Sequence, residues 1–137
     1  MEQIQKFSYP KHEKLKRRKL IERLFSEGES VAQYPLRLVF MPVSEEKVQL
    51  QIAVSVSKKY FKKAVDRNYY KRVLRECYRV HQHRLKEHLE QPYAMLFFYQ
   101  SRDRMDFAAI ESKTKQLFDK WVHTQTQKNG QNDAKKS

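Results

Sequence analysis

Between residues 58 and 75 the chain carries eight cationic side chains, Lys58, Lys59, Lys62, Lys63, Arg67, Lys71, Arg72 and Arg75, against the single acid Asp66. A phosphate backbone is the partner such a run suits, because each contact releases condensed counterions and adds to affinity. A solvated helix face reads differently, since it interleaves both signs in i, i+4 pairs, and this one does not. Groups for covalent chemistry are thin by comparison. The spacing of His81, His83 and His88 closes no metal site with a carboxylate or cysteine. No Ser-His-Asp or Cys-His arrangement is legible. Asp66, Glu76, Glu87 and Glu90 lie around a basic helix and read as local ion pairs rather than as two-metal ligands. The histidines are therefore expected to be packing or RNA-facing side chains, and no catalytic residue and no metal ligand is assigned. With Gly28 and Gly130 as the only glycines, no phosphate-cradling glycine loop can be written and no nucleotide cofactor is expected.

Composition agrees with a polyanionic partner. The chain has 137 residues, 29 Lys plus Arg against 16 Asp plus Glu, and a formal net charge of +13. A field of that sign on so small a surface most often serves a nucleic acid, with a membrane surface the weaker competitor. The lone cysteine, Cys77, excludes an internal disulfide framework. The longest apolar run, Tyr93 to Tyr99, is too short to span a bilayer, and the residues from Met1 to Lys6 hold no signal-peptide apolar segment. A soluble, cytoplasmic protein with no membrane partner is expected.

The elements that must position these groups follow from hydrophobic period. Leu20/Leu24 and Ile21/Phe25 are spaced i, i+4 and predict a short amphipathic helix from Leu15 to Glu27, ended by Gly28. Period two runs from Leu36 to Met41 and from Val48 to Ser57, with Pro42 to Lys47 read as a hairpin loop between two antiparallel strands. A third short strand segment accompanies them. In the second stretch Val48, Leu50, Ile52, Val54 and Val56 face a core while Gln49, Gln51, Ala53, Ser55 and Ser57 face the other way.

The next helix, from about Ala64 to Leu89, is the longest. It gathers Tyr70, Val73, Leu74, Cys77, His81 and Leu85 on one side and Asn68, Lys71, Arg72, Arg75, Arg79, Gln82 and Lys86 on the other. After Pro92, Tyr93 to Tyr99 reads as a strand buried on both faces. A last helix starts at Asp106 as N-cap, with Phe107, Ile110, Leu117, Phe118 and Trp121 on its buried stripe. The expected architecture is a single α+β domain, residues 1–123, in which a small mixed four-stranded sheet packs with three helices in α-β-β-β-α-β-α order. Residues 1–13 form a basic arm, and residues 124–137, without a large apolar side chain, are expected to be a disordered polar tail.

Two candidate surfaces result. One is the cationic stripe, Lys58, Lys59, Lys62, Lys63, Arg67, Asn68, Lys71, Arg72, Arg75 and Arg79. The other is the small, polar strand face of Gln49, Gln51, Ala53 and Ser55, extended by Arg37 and Val39 on the neighbouring strand and flanked by Ile21 and Phe25. Such a groove suits a single strand that stacks and hydrogen-bonds, although an ordinary antiparallel sheet with one wet face shows the same pattern.

At Ser55-Val56-Ser57-Lys58-Lys59, followed by Ala64-Val65-Asp66-Arg67-Asn68-Tyr69-Tyr70-Lys71-Arg72-Val73-Leu74-Arg75-Glu76, the chain resembles the protein subunit of bacterial ribonuclease P. The family pattern there is S-x-S-K-K, a short connection, then A-V-x-R-N-R-x-K-R-x-x-R-E/Q on a helix. The resemblance extends to Lys14 to Gly28 and to the buried strand and closing helix. Two departures stand out: Tyr69 occupies the third, usually basic, position of R-N-R, and the connection Lys59 to Ala64 is one residue longer and lacks its glycine.

The resemblance implies a left-handed β-α-β crossover, against the usual handedness. It implies a large catalytic RNA that uses Mg²⁺ to release the 5′ leader of precursor tRNA, no cofactor held by the protein itself, and ribonuclease P RNA and precursor tRNA as partners. Arg67, Asn68, Lys71, Arg72 and Arg75 then face the catalytic RNA, and Ile21, Phe25, Arg37 and Val39 line a cleft for the leader. The competing reading is a structural RNA-binding protein of ribosomal or ribosome-assembly type, which explains the charge but not the motif. A self-sufficient nuclease would need a carboxylate or histidine cluster that the sequence lacks.

Overall fold

Seven consecutive apolar or aromatic side chains can all be buried only in mid-sheet with both faces covered, and Tyr93–Tyr99 takes that place. The structure, a computed structural model, describes residues 14, 15, 17–43 and 49–136, the stretch 128–136 as backbone. Its elements are α1 (Arg18–Glu27), β1 (Glu29–Gln33), β2 (Leu36–Pro42), β3 (Leu50–Val56), α2 (Ala64–Lys86), β4 (Tyr93–Tyr99) and α3 (Phe107–Lys136). The sheet order is β1-β2-β4-β3, with β4 antiparallel to β2 and parallel to β3.

This order corrects the expected hairpin between β2 and β3. They are not neighbours, because β4 lies between them, and the antiparallel hairpin is instead β1–β2, turned at Tyr34-Pro35 with a cis peptide bond. The physical reason is burial: β4 has no polar face to give to solvent and so takes the centre, while β3, with Ala53, Val54 and Ser55 only partly buried, tolerates an edge. That edge is partly covered where the Leu15 N–H donates to the Ile52 carbonyl at 3.1 Å. Val48 and the loop positions 44–47 lie outside the described residues, as does the arm 1–13.

Alternation along β4 divides the interior into two cores. Tyr93, Met95, Phe97 and Tyr99 join Leu38, Phe40, Leu50, Ile52 and the apolar sides of α2 and α3, with Trp121 fully buried among them. Ala94, Leu96 and Phe98 point the other way, into a smaller core with Leu20, Leu24 and Met41 under α1. Burying one such leucine contributes about 2 kcal/mol, so α1 is held mainly by this contact, its N-terminus having no side-chain cap.

α2 buries the expected Tyr70, Val73, Leu74, Cys77, His81 and Leu85, and Tyr78 and Gln82 as well. Gln82 belongs to the expected polar side, yet both ends of its amide are bonded: Nε2 donates to the Arg79 carbonyl at 2.9 Å, and Oε1 accepts from Lys86 at 2.6 Å. In α3 Asp106 is the N-cap, accepting from the Ala109 N–H at 2.9 Å. Phe107 is exposed rather than part of the buried stripe.

The tail expected to be disordered from residue 124 continues α3 as helix to Lys136. A helix already nucleated by a buried segment extends without a further nucleation cost, and Gln, Lys and Ala favour it. Its first tail turn is also anchored, since the Tyr93 hydroxyl donates to Gln125 Oε1 at 3.2 Å.

Gly28 closes α1 against β2: its N–H donates to the Leu24 carbonyl at 2.9 Å, and a Cβ there would lie 2.4 Å from that oxygen and 2.9 Å from Val39 Cγ1. Gly28→Ala is expected to lower stability by about 1–3 kcal/mol through overpacking, read as a drop in Tm; an unchanged Tm contradicts the close approach. His81, buried between α2 and α3, has its pKa pushed below the usual 6.5 by burial, with the Glu111 carboxylate at 3.3 Å and the Arg84 and His83 charges as its other influences. The unfolded chain then binds the proton more readily, so stability falls as pH drops through about 6.5. His81→Gln should flatten that part of a Tm-against-pH profile; an equally steep profile assigns the dependence elsewhere.

Candidate nucleic-acid interface

The α1 side of the sheet is built in rows. Ala32, Arg37, Phe98 and Ser55 stand abreast on β1, β2, β4 and β3, and Ser30, Val39, Leu96 and Ala53 form the next row. Arg37 and Ser55 are therefore two strands apart, about 10 Å, rather than adjacent as the expected hairpin required. The residue between them is Phe98, which the sequence reading missed because its strand is apolar at every position and shows no period.

Over these rows, α1 carries Ile21, half-buried, and Phe25, which is 65% exposed and lies with its ring 5.8 Å from that of Phe98. Arg37 is braced at the border, its Nε donating to Gln100 Oε1 at 3.0 Å and its Nη1 to Ser30 Oγ at 2.7 Å. The result is a shallow face with an aromatic pair, an apolar floor and one fixed guanidinium. Of the predicted cleft residues, Ile21, Phe25, Arg37, Val39 and Ser55 are brought to this face. Gln51 is buried instead and accepts from Arg17 Nη2 at 3.4 Å, which occupies the acceptor oxygen a ligand would use.

The stripe lies on the other side of β3. Its acids are each held by a specific cation: Asp66 by Arg104 at 2.9 Å and Glu76 by Arg79. Those guanidiniums keep both carboxyls below the usual carboxylate range. What remains is a surface of one sign, for among the described residues Lys58, Lys62, Lys63, Lys71, Arg72 and Arg75 make no ion pair. Lys59 lies over the Tyr60 ring at 5.6 Å, and Asn68 is exposed. Arg67 has a structural duty, since its Nη1 donates to the Phe61 carbonyl at 2.9 Å and the Lys62 carbonyl at 2.7 Å, fixing the connection into α2. Arg79 is partly neutralised by its pair with Glu76.

Stripe and cleft meet at the C-terminal end of β3. Ser55 faces the cleft, and Lys58 and Lys59 follow within a turn whose Tyr60 and Phe61 amides donate to the Ser57 carbonyl at 3.1 and 3.2 Å. A third cationic area surrounds the start of α1, where Arg17, Arg18, Lys19 and Arg23 line an open groove of about 860 Å³. Its signal in sequence is the run from Lys14 to Arg23.

A sequence profile of ribonuclease P matches residues 9–122. The chain belongs to the ribonuclease P family. It is 40% identical over 109 residues to the ribonuclease P protein component of Porphyromonas gingivalis, covering 77% of this chain and 80% of that one. The ribonuclease P protein of Staphylococcus aureus superposes with a TM-score of 0.64 at 23% identity, over 77% of this chain and 91% of the other. That of Thermotoga maritima gives 0.64 at 21%, over 79% and 96%. These two likenesses are of fold. For this ribonuclease P protein the arrangement makes Arg67 different from its neighbours: Arg67→Ala should lower Tm, whereas Arg72→Ala and Arg75→Ala should leave stability within about 0.5 kcal/mol. The latter pair should instead flatten the salt dependence of RNA binding by roughly one unit of slope per lost phosphate contact. An unchanged slope contradicts the stripe, and equal Tm for all three contradicts the clamp.

Proposed function

We propose that this ribonuclease P protein binds the catalytic RNA through the stripe, Lys58 to Arg79, and the single-stranded 5′ leader of precursor tRNA on the face of Ile21, Phe25, Arg37, Val39, Phe98 and Ser55. The observation that carries the reading is the junction at the end of β3, where a surface on which Lys58, Lys62, Lys63, Lys71, Arg72 and Arg75 make no ion pair among the described residues runs into one where the exposed Phe25 ring packs on the buried Phe98. Cations alone bind any polyanion, whereas stacking surfaces select unpaired bases. The two together suit a protein that bridges a folded RNA and a flexible strand.

The protein's contribution is electrostatic and positional. A charge of +13 lowers the repulsion between two RNAs and so reduces the ionic strength at which they associate. The stacking face adds affinity only for substrates that carry a leader. The Mg²⁺ required for phosphodiester hydrolysis is assigned to the RNA. Among the described residues no three His, Cys, Asp or Glu side chains are grouped to hold a metal. Among the same residues no helix is long and apolar enough to cross a membrane; a cytoplasmic place of work is part of the proposal.

The test is cleavage of precursor tRNA at low Mg²⁺ by the cognate catalytic RNA, with and without the protein. Rescue of cleavage at the mature 5′ end is expected. Tight RNA binding without rescue would contradict the proposal and leave a structural RNA-binding role.

A further inference from the structure

Val65 and Tyr69 are spaced i, i+4 near the start of α2, and they stand out of the protein at 71% and 46% exposure. Tyr69 is the solvent end of an aromatic series that runs inward. Its ring meets Tyr70 edge to face, with centroids 5.0 Å apart and planes at 86°. Tyr70 in turn stacks on Phe61 at 4.7 Å and leans on Tyr99 at 4.8 Å, and these three inner rings are buried. An edge-to-face pair consumes at most one face of either ring, so at least one face of Tyr69 is left outside the pair while Tyr70 braces it.

We propose that Val65 and Tyr69 form a platform on which one unpaired base of the catalytic RNA stacks. The inference rests on the RNA-binding reading of α2 and adds to it a contact of a different kind. Charge selects the occupant. Arg72 lies one turn after Tyr69 on α2, and the exposed Lys62 and Lys63 stand in the connection just before the helix, so cations that could take phosphates occur on both sides of the pair in sequence. The nearest acid, Asp66, is held by Arg104 at 2.9 Å and offers little repulsion to a polyanion. A paired base has its faces covered by its neighbours in the stack, so the partner is a base in a loop, bulge or end. The tyrosine hydroxyl makes no hydrogen bond among the described residues, and the ring itself carries the contact.

Affinity of the full-length protein for its cognate catalytic RNA, measured across a salt series, tests this. Tyr69→Ala is expected to bind about 5- to 150-fold more weakly, the range for loss of one stacked base, with the salt slope unchanged. Tyr69→Phe should bind as the unsubstituted protein does. Tyr69→Arg should steepen the slope by roughly one unit. Tm values for all three control for folding, and none should move by more than a few degrees. Unchanged affinity for Tyr69→Ala overturns the platform, and so does a Tyr69→Phe loss equal to that of Tyr69→Ala. If the unsubstituted protein rescues cleavage at low Mg²⁺ while Tyr69→Ala binds normally, the platform alone fails. If the unsubstituted protein gives no rescue, it is the broader functional proposal that fails.

Discussion

β4 has nothing to offer water. Its seven side chains are all buried, so it must lie in the middle of the sheet, and both of its faces must be covered by helices. From that constraint follow the separation of β2 from β3, the placing of α1 on one face and of α2 and α3 on the other, and the position of β3 at an edge. It also sets the functional geometry. An edge strand that delivers its chain into α2 can put Ser55 on one surface and Lys58 on the next within a single turn, which is how the two surfaces proposed to meet RNA come to be continuous.

In the proposed reading the two surfaces work through different physics. The stripe acts by charge, weakens with salt and is indifferent to base identity. Its selectivity depends on the acids being silenced locally, Asp66 by Arg104 and Glu76 by Arg79, so that the remaining cations act outward. The α1 face acts by contact, through Phe25 and Phe98 and the fixed Arg37. Division of labour of this kind suits an assembly in which the chemistry belongs to the RNA and the protein supplies association and register.

Much of this was legible in the residues. The i, i+4 pairs of α1, the two sides of α2, the Asp106 cap and the cationic run all came from local pattern, because helices are governed by contacts close in sequence. Sheet order was not, since period two marks a strand without naming its partner, and the rule that consecutive strands pair failed where a later, more apolar strand claimed the centre. Phe98 was hidden for the same reason: in a strand apolar throughout, no alternation betrays which side chain reaches the cleft. Gln51 looked available because its alternation is correct, and only the fold shows Arg17 bonded to it. The helical continuation past residue 124 escaped a reading based on burial, since a helix already under way is extended by propensity alone.

The central claim is that the face under α1 reads the leader and the stripe reads the catalytic RNA. It is tested most directly by the affinity of the reconstituted ribonucleoprotein for precursor tRNA with and without its leader, for the unsubstituted protein and for Phe25→Ala. The account predicts that Phe25→Ala weakens binding of the leader-bearing substrate by about 1–3 kcal/mol and leaves the leaderless one unchanged. Equal weakening of both, or of neither, would contradict it.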